Sequence, residues 1–206
     1  MTLLDQARAW VEDVHPHPRH LARTLDWVVE LDPEASEALR IAAVTHDIER
    51  AFPDPAATWD SARDWDSPAY NRWHQDRCAE LVGAWLRERG ADPALAGEVE
   101  TLVRAHEDGG WRDADLLQAA DSLSFLDVNP AARWVREGLA DAGTAERKLR
   151  WMHDRVRLPA ARERAGALLA AALGALVSTG PVVQDRPLAE RMRQHATEGR
   201  AHGNTR

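Results

Sequence analysis

The sequence lacks the features of a secreted protein or of a protein that binds polyanions. Its 206 residues include a single cysteine, Cys78, which excludes an internal disulfide and predicts a reducing, cytoplasmic location. The 34 Asp and Glu residues outnumber the 26 Lys and Arg residues, and the net charge is -8. Because nucleic-acid polymers and anionic membranes are bound by clustered positive charge, we expect neither as a partner. A small anionic substrate is still compatible, since a bound metal supplies local positive charge.

Long apolar segments are also missing. The first residues, Met1–Asp5, are not a basic segment followed by a long apolar one, so we expect no secretory signal peptide. The most apolar stretch, residues 165–177, is shorter than a membrane span and is rich in alanine and glycine. It is predicted to be a buried helix of a soluble domain.

Strand patterns are nearly absent, since valine and isoleucine occur within helical periods and do not alternate with polar residues. The sequence therefore predicts an all-α fold. We expect one domain over residues 1–179, with a metal-site core at about 15–127, C-terminal helices up to 179, and a polar, weakly ordered tail over 180–206. Helices are predicted over residues 3–14, 19–31, 34–47, 71–89, 93–106, 113–127, 130–140, 144–157 and 160–178.

The aromatic residues are strongly biased toward tryptophan, with nine Trp, two Phe and one Tyr. Most of the tryptophans lie at apolar positions of predicted helices and are expected in the core, whereas Trp59, Trp65 and Trp111 fall in predicted loops. The segment 52–70, which contains Trp59, Trp65 and three prolines, is long for a loop of a compact domain. It either covers a site beside His46–Asp47 or is an ordinary surface loop held by its tryptophans.

Six polar residues interrupt otherwise apolar helical patterns, where histidine or aspartate is an unfavourable choice for simple packing. They are His20, His46, Asp47, His74, His106 and Asp121. Imidazole and carboxylate ligands suit divalent Fe, Mn, Co, Ni or Zn, and this set can hold one or two such ions. Neighbouring side chains on a helix diverge by about 100°, so Asp47 would be able to bridge two ions. Helical bundles build metal sites in their interior in this way.

Other histidines compete for these roles. His15 and His17 precede the predicted second helix and are expected to be solvent-exposed turn residues. His153–Asp154 repeats the dipeptide, but it lies in a highly charged helix with no aspartate motif after it, so we expect no metal ligation there. The same helix carries cations that could instead contact an anionic substrate: Lys148, Arg150 and Arg155.

The order His, His-Asp, His, His, Asp resembles the HD superfamily of metal-dependent phosphohydrolases, and most of all its members with two metal ions. The resemblance runs from His20 to Asp121, about half of the chain. It includes the local sequences His20–Val28, with Arg23 three residues after the histidine, His74–Val82 and Ala119–Leu123. One departure follows the dipeptide: many members have glycine and lysine there, whereas this chain has Ile48–Arg50. Any role of that lysine therefore passes to Arg50 or is absent.

The resemblance implies an HD-type helical bundle with a metal site in its core. It also implies hydrolysis of a small phosphorylated compound, with nucleotides as the leading class, by a metal-activated water. Asp47 would orient or deprotonate this water, and the phosphate would be neutralised by Arg23, Arg50 and Arg77. Two alternatives stay open. Some relatives with the same six ligands hold two irons and cleave carbon bonds with dioxygen, and a regulatory module could keep the fold without turnover.

Overall fold

The fold is entirely helical in the part of the chain that the computed structural model describes, residues 1–61, 63–128 and 130–178. This confirms the all-α prediction; the predicted polar tail, 180–206, lies outside the described residues. A short 3-10 helix, Ile48–Ala51, separates the third and fourth α-helices. The described α-helices are α1 Leu3–Val14, α2 Pro18–Leu31, α3 Glu37–Thr45, α4 Pro68–Glu88, α5 Pro93–Val103, α6 Arg112–Val128, α7 Pro130–Glu137, α8 Ala142–Asp154 and α9 Pro159–Ser178.

Helix starts follow from side chains that cap the first turn. The Ser36 hydroxyl accepts a hydrogen bond from the Leu39 amide at 3.1 Å, so α3 begins at residue 37 and not at the predicted residue 34. In α4, Ser67 caps the Tyr70 amide and Pro68 takes the first helical position, where its missing N–H is not needed. The helix therefore begins three residues before the predicted residue 71.

Two helices end earlier than predicted because a histidine ring replaces the next backbone donor. The Nδ1 atom of His46 lies 2.9 Å from the Ala43 carbonyl, and that of His106 lies 2.7 Å from the Val103 carbonyl. In a continuing helix these carbonyls would accept from the amides of residues 47 and 107. The two helices therefore end two and three residues before the approximate ends predicted at 47 and 106, and His46, Asp47 and His106 follow helix ends.

The central element of the bundle is α6, which is buried along nearly all of its length. It packs mainly against α2 and α9, and also against α8 and α3, while α4 packs on α5. Helices from different parts of the chain thus surround the middle of α6, where Asp121 lies. No helix in the described ranges is both long and apolar enough to cross a membrane.

Candidate metal centre

The structure brings the six polar residues of the sequence pattern together in the interior of the bundle. Five of them are buried, and the side chain of His20 keeps 12% of its surface exposed. They come from separate elements: His20 from α2, His46 and Asp47 from the end of α3, His74 from α4, His106 from the turn after α5, and Asp121 from α6.

The two carboxylates lie among the imidazoles. Asp121 Oδ1 is 3.1 Å from Nε2 of His20 and 3.4 Å from Nε2 of His46. Asp47 Oδ1 is 3.0 Å from Nε2 of His74, and its Oδ2 is 4.0 Å from Nε2 of His20. The two carboxylates thus contact different pairs of rings and share His20.

Asp47 also belongs to two separate groups of potential ligands. One group is His20, His46 and Asp47, and the other is Asp47, His74 and His106. Within each group the nearest ligand atoms all lie within 4.8 Å of one another. The ring of His106 lies 5.1 Å, centroid to centroid, from the rings of both His46 and His74, so the two groups are adjacent.

Each of the four imidazoles is held by its Nδ1 atom, so its Nε2 atom points into the cluster. In His46 and His106 the partner of Nδ1 is a backbone carbonyl, which can only accept, so Nδ1 carries the proton. In His74 the partner is the Glu49 carboxylate at 3.0 Å. Apart from their contacts with nearby carboxylates, the Nε2 atoms of these three buried rings have no hydrogen-bond partner among the described residues. Metal-binding histidines have the same arrangement, with the second nitrogen donating to a carbonyl or carboxylate.

The tautomer of His20 follows from a pair of hydrogen bonds with Ser124. The Ser124 hydroxyl donates to the His20 carbonyl at 2.8 Å, which uses its one proton. The same oxygen lies 2.9 Å from His20 Nδ1 and must therefore accept from it. Nδ1 of His20 is therefore a donor to Ser124, and Nε2 is the nitrogen that faces Asp121. The buried His and Asp side chains of this cluster can hold a metal ion.

Nearby cations keep both carboxylates ionised. Burial alone would raise the pKa of Asp47, but Arg50 and His74 hold it well below its usual range. Burial likewise opposes the charge of Asp121, and Arg155 with His20 and His46 outweighs it, so this pKa is also well below its usual range. Both aspartates are thus anionic ligands at any pH near neutral.

Glu49 and Glu107 lie beside the centre but were not recognised in the sequence, and Arg155, which was expected as a possible substrate contact, pairs with a residue of the centre. Glu49 orients His74, as described above. Glu107 Oε1 lies 3.6 Å from Nε2 of His106, and Arg155 bridges Glu107 to Asp121. The contacts of Glu49 and Arg155 join residues 25, 34 and 48 positions apart and have no signature in a single sequence.

The expectation that His15 is an exposed turn residue is wrong. His15 is 5% exposed, its Nδ1 accepts from the His17 amide at 3.0 Å, and its Nε2 donates to the Asp47 carbonyl at 3.2 Å. His15 is therefore a buried residue that fixes the backbone of Asp47. His17 is exposed, as expected, and its ring contacts Arg133.

The three arginines expected to contact phosphate lie in different surroundings. Arg50 Nε is 2.9 Å from Asp47 Oδ2, which places its guanidinium at the centre. Burial disfavours the charge of Arg50, but Asp47 outweighs it and the net pKa of the guanidinium is raised. Arg77 is half-buried in α4, one turn after His74, and its Nε makes no hydrogen bond within the described ranges.

Arg23 is already neutralised by other carboxylates. Its Nε lies 2.6 Å from Asp127 and its Nη1 lies 2.8 Å from Glu30, and the guanidinium stacks on Trp27. It forms no ion pair with either aspartate of the cluster among the described residues. Of the three arginines expected to contact phosphate, Arg50 is consequently the one that pairs with a residue of the cluster.

The segment 52–70 contacts the centre through its last residue. The ring of Tyr70 stacks on His74 with 5.7 Å between centroids, and Trp59 lies against Tyr70. The Tyr70 hydroxyl is buried and has no hydrogen-bond partner in the described chain, and burial raises its pKa. Trp65, from the middle of the segment, is buried against Trp151 of α8.

Comparisons with family models, with curated proteins and with solved structures gave no match to this chain. The arrangement of its own residues therefore provides the evidence for its chemistry.

Proposed function

We propose that this protein is a metal-dependent phosphohydrolase that acts on a small phosphorylated compound, with nucleotides as the leading substrate class. The observation that supports metal dependence is the shared orientation of four imidazoles, each held through Nδ1 so that Nε2 faces the cluster. The reaction type rests on the resemblance of His20–Asp121 to the HD superfamily.

The two ligand groups that share Asp47 support a site for two ions. His20, His46 and Asp121 would hold the first ion, and His74 with His106 the second, with Asp47 between them. Nitrogen and carboxylate ligands fit divalent Fe, Mn, Co, Ni or Zn. When bound, such an ion lowers the pKa of a water molecule and so supplies a nucleophile near neutral pH.

The residues of the chain position this water and the phosphoryl group. Asp47 stays ionised, and its backbone is fixed by His15, so its carboxylate can orient the attacking water. Arg50 pairs with Asp47 through Nε, which leaves the donors of its two terminal nitrogens for phosphoryl oxygens. We assign phosphate neutralisation to Arg50 with Arg77, and not to Arg23, whose charge is taken by Asp127 and Glu30.

The decisive experiment is metal analysis of protein purified without added metal or chelator, combined with assays on a panel of nucleotides and other phosphate esters. We expect bound divalent metal and release of inorganic phosphate that a chelator abolishes and added metal restores. Two irons with an oxygen-sensitive mixed-valence signal, and no phosphate release, would contradict the proposal and indicate oxygenation. Bound metal without any turnover would indicate a regulatory module.

Replacement of Arg50 tests the role of its charge. Arg50→Met should raise the Michaelis constant for the phosphorylated substrate about tenfold, because a charge-assisted hydrogen bond is lost. Metal content, measured on the same sample, should not fall, since Arg50 supplies no ligand atom. Arg63→Met is the matched control: Arg63 lies in the adjoining segment and pairs with Asp60 at the surface. Equal constants for both variants would remove Arg50 from the site.

A further inference from the structure

One basic residue of the chain differs in type from all the others. The sequence has 26 Lys and Arg residues, and Lys148 is the one lysine among them. Arginine therefore serves every other position that needs a positive side chain. Lysine differs from arginine in carrying a compact ammonium with three donors on a flexible stem. A lysine confined to one position raises the question of what that position requires.

Lys148 is buried among three aromatic rings. It lies in α8 and is 8% exposed. Its Nζ is 4.1 Å from the ring centroid of Trp151, 5.1 Å from that of Trp65 and 5.4 Å from that of Phe125. All three distances are within the range of cation–π attraction. These rings come from α8, the segment 52–70 and α6, so they enclose the ammonium from separate elements.

The ammonium has no acceptor for its protons in the described residues. Lys148 donates no hydrogen bond to the described residues and forms no ion pair with them within 4.0 Å. The attraction of the aromatic ring faces replaces only part of the hydration that the ammonium loses on burial. Burial lowers the pKa of Lys148 to about 7, and Arg155 adds to this effect while Glu107 and Asp121 oppose it. A buried ammonium without an anion therefore loses its proton readily, and an anion bound beside it would favour the charged form.

The rings around Lys148 connect it to the metal centre. Phe125 lies one helical turn after Asp121 on α6, so the two side chains share a face of that helix. The ring of Phe125 also makes an edge contact with His20, at 6.4 Å between centroids. The charge of Lys148 interacts with those of Glu107 and Asp121. Lys148 is therefore part of the surroundings of the centre on the side of Asp121.

We propose that Lys148 binds an acidic group of the substrate, a phosphoryl group, with Trp65, Phe125 and Trp151 as the walls of this subsite. The identity of that group rests on the proposed function. An ammonium held by ring faces keeps its N–H donors for a ligand, whereas Arg155 uses its donors on Glu107, Asp121 and Ser122. A substrate that is bound by Lys148 would thus reach the centre beside Asp121.

The test uses inorganic phosphate as the probe and calorimetric titration as the measurement, on full-length protein as purified and on the same protein after chelation. Lys148→Met keeps an unbranched apolar side chain one atom shorter than lysine, and circular dichroism verifies the fold of the variant. We expect this variant to bind phosphate about tenfold more weakly, the scale of one charge-assisted hydrogen bond. Arg150→Met is the matched control, because Arg150 lies on the same helix and pairs with Glu146 at the surface.

The unique amine provides a second measurement. Lys148 and the N-terminus are the two amines of the 206-residue chain. In acylation followed by peptide mass spectrometry, phosphate should slow modification of Lys148 relative to chloride at equal ionic strength, while the N-terminus reacts equally in both. Unchanged phosphate affinity in Lys148→Met overturns the proposal, even if Lys148 proves too buried to acylate.

The titration also separates this inference from the proposed function. Weakened phosphate binding in Lys148→Met supports the subsite whether or not any phosphate ester is hydrolysed. Hydrolysis with the same Michaelis constant in Lys148→Met and in the unaltered protein would leave the phosphohydrolase proposal intact and remove Lys148 from it. A purely structural lysine would change the melting temperature but not the phosphate affinity.

Discussion

The chain contains the dipeptide His-Asp twice, and the two copies have opposite surroundings. His46 is 0% exposed, its Nδ1 is bound by a backbone carbonyl, and Asp47 reaches toward His20 and His74. In the second copy the side chains of His153 and Asp154 are 32% and 76% exposed, and they bind each other at 2.8 Å. The two side chains of the second pair hydrogen-bond to each other, whereas those of the first pair contact residues from other parts of the chain.

The backbone explains much of this difference. Both residues of the second copy lie within α8. In the first copy α3 ends at Thr45, and Asp47 has φ -103° and ψ 13°, outside the helical conformation. This change of direction places the carboxylate of Asp47 between rings from other helices. A His-Asp pair can thus become a ligand pair where the chain turns inward between structural elements. It remains a surface pair at the end of α8, where both residues keep the helical conformation and their side chains are exposed.

The largest expected contrast between the two copies is in metal content. Asp47→Ala removes the one residue that belongs to both ligand groups, so we expect loss of all bound metal. Asp154→Ala should retain the metal content of the unaltered protein. Elemental analysis of both variants, purified in parallel, measures the effect. Retention of metal by Asp47→Ala would remove this residue from the centre.

A smaller contrast is expected from the carboxylates that bind histidine Nδ1 atoms. Glu49 holds His74 at 3.0 Å, and Asp154 holds His153 at 2.8 Å. Glu49→Gln should weaken metal affinity roughly 10- to 100-fold, the usual effect of changing a partner of a ligating histidine. Asp154→Asn should have no effect. Competition with a chromogenic chelator provides the affinities, and equal values for the two variants would contradict the role of Glu49.

The smallest expected effect is a change in how stability depends on pH. Burial opposes protonation of His46, but Asp121 and Asp47 outweigh it and raise its pKa above 6.5. Burial also opposes protonation of His74, but Cys78, Asp47 and Glu49 together raise this pKa well above 6.5. In metal-free protein, the stability that these two histidines contribute is complete below about pH 6.5 and is lost as pH rises through their folded pKa values. Burial lowers the pKa of His106 to about 4, so its contribution is present above about pH 6.5 and is lost as pH falls toward 4.

Metal-free protein should accordingly be most stable near pH 6.5 with respect to these three histidines. Metal-loaded protein should gain stability as pH rises above that value, because protons compete with the ion for the same Nε2 atoms. Urea unfolding with and without added metal measures how the stability of each form depends on pH. The measurements run across pH 5 to 8, roughly the range over which histidine titrates. Parallel curves would show that the ion does not bind these nitrogens.

The sequence predicted the residues of the cluster better than the contacts that hold them. His20, His46, Asp47, His74, His106 and Asp121 were visible because each places a polar group in an apolar helical pattern. The early ends of α3 and α5 were not visible, since they depend on a ring nitrogen that competes for a backbone carbonyl. The assignment of His15 to the surface failed because its partner, the Asp47 carbonyl, is 32 residues away in the chain.

The two rings that end α3 and α5 also connect the metal centre to the backbone. His46 and His106 each use one nitrogen on a helix-terminal carbonyl and present the other to the cluster. An ion that binds the inner nitrogens restricts the motion of these rings, and so strengthens the outer hydrogen bonds to Ala43 and Val103. Metal binding should therefore slow amide hydrogen exchange in the turns that follow both helices. Metal binding and the local order of these turns are thus coupled equilibria.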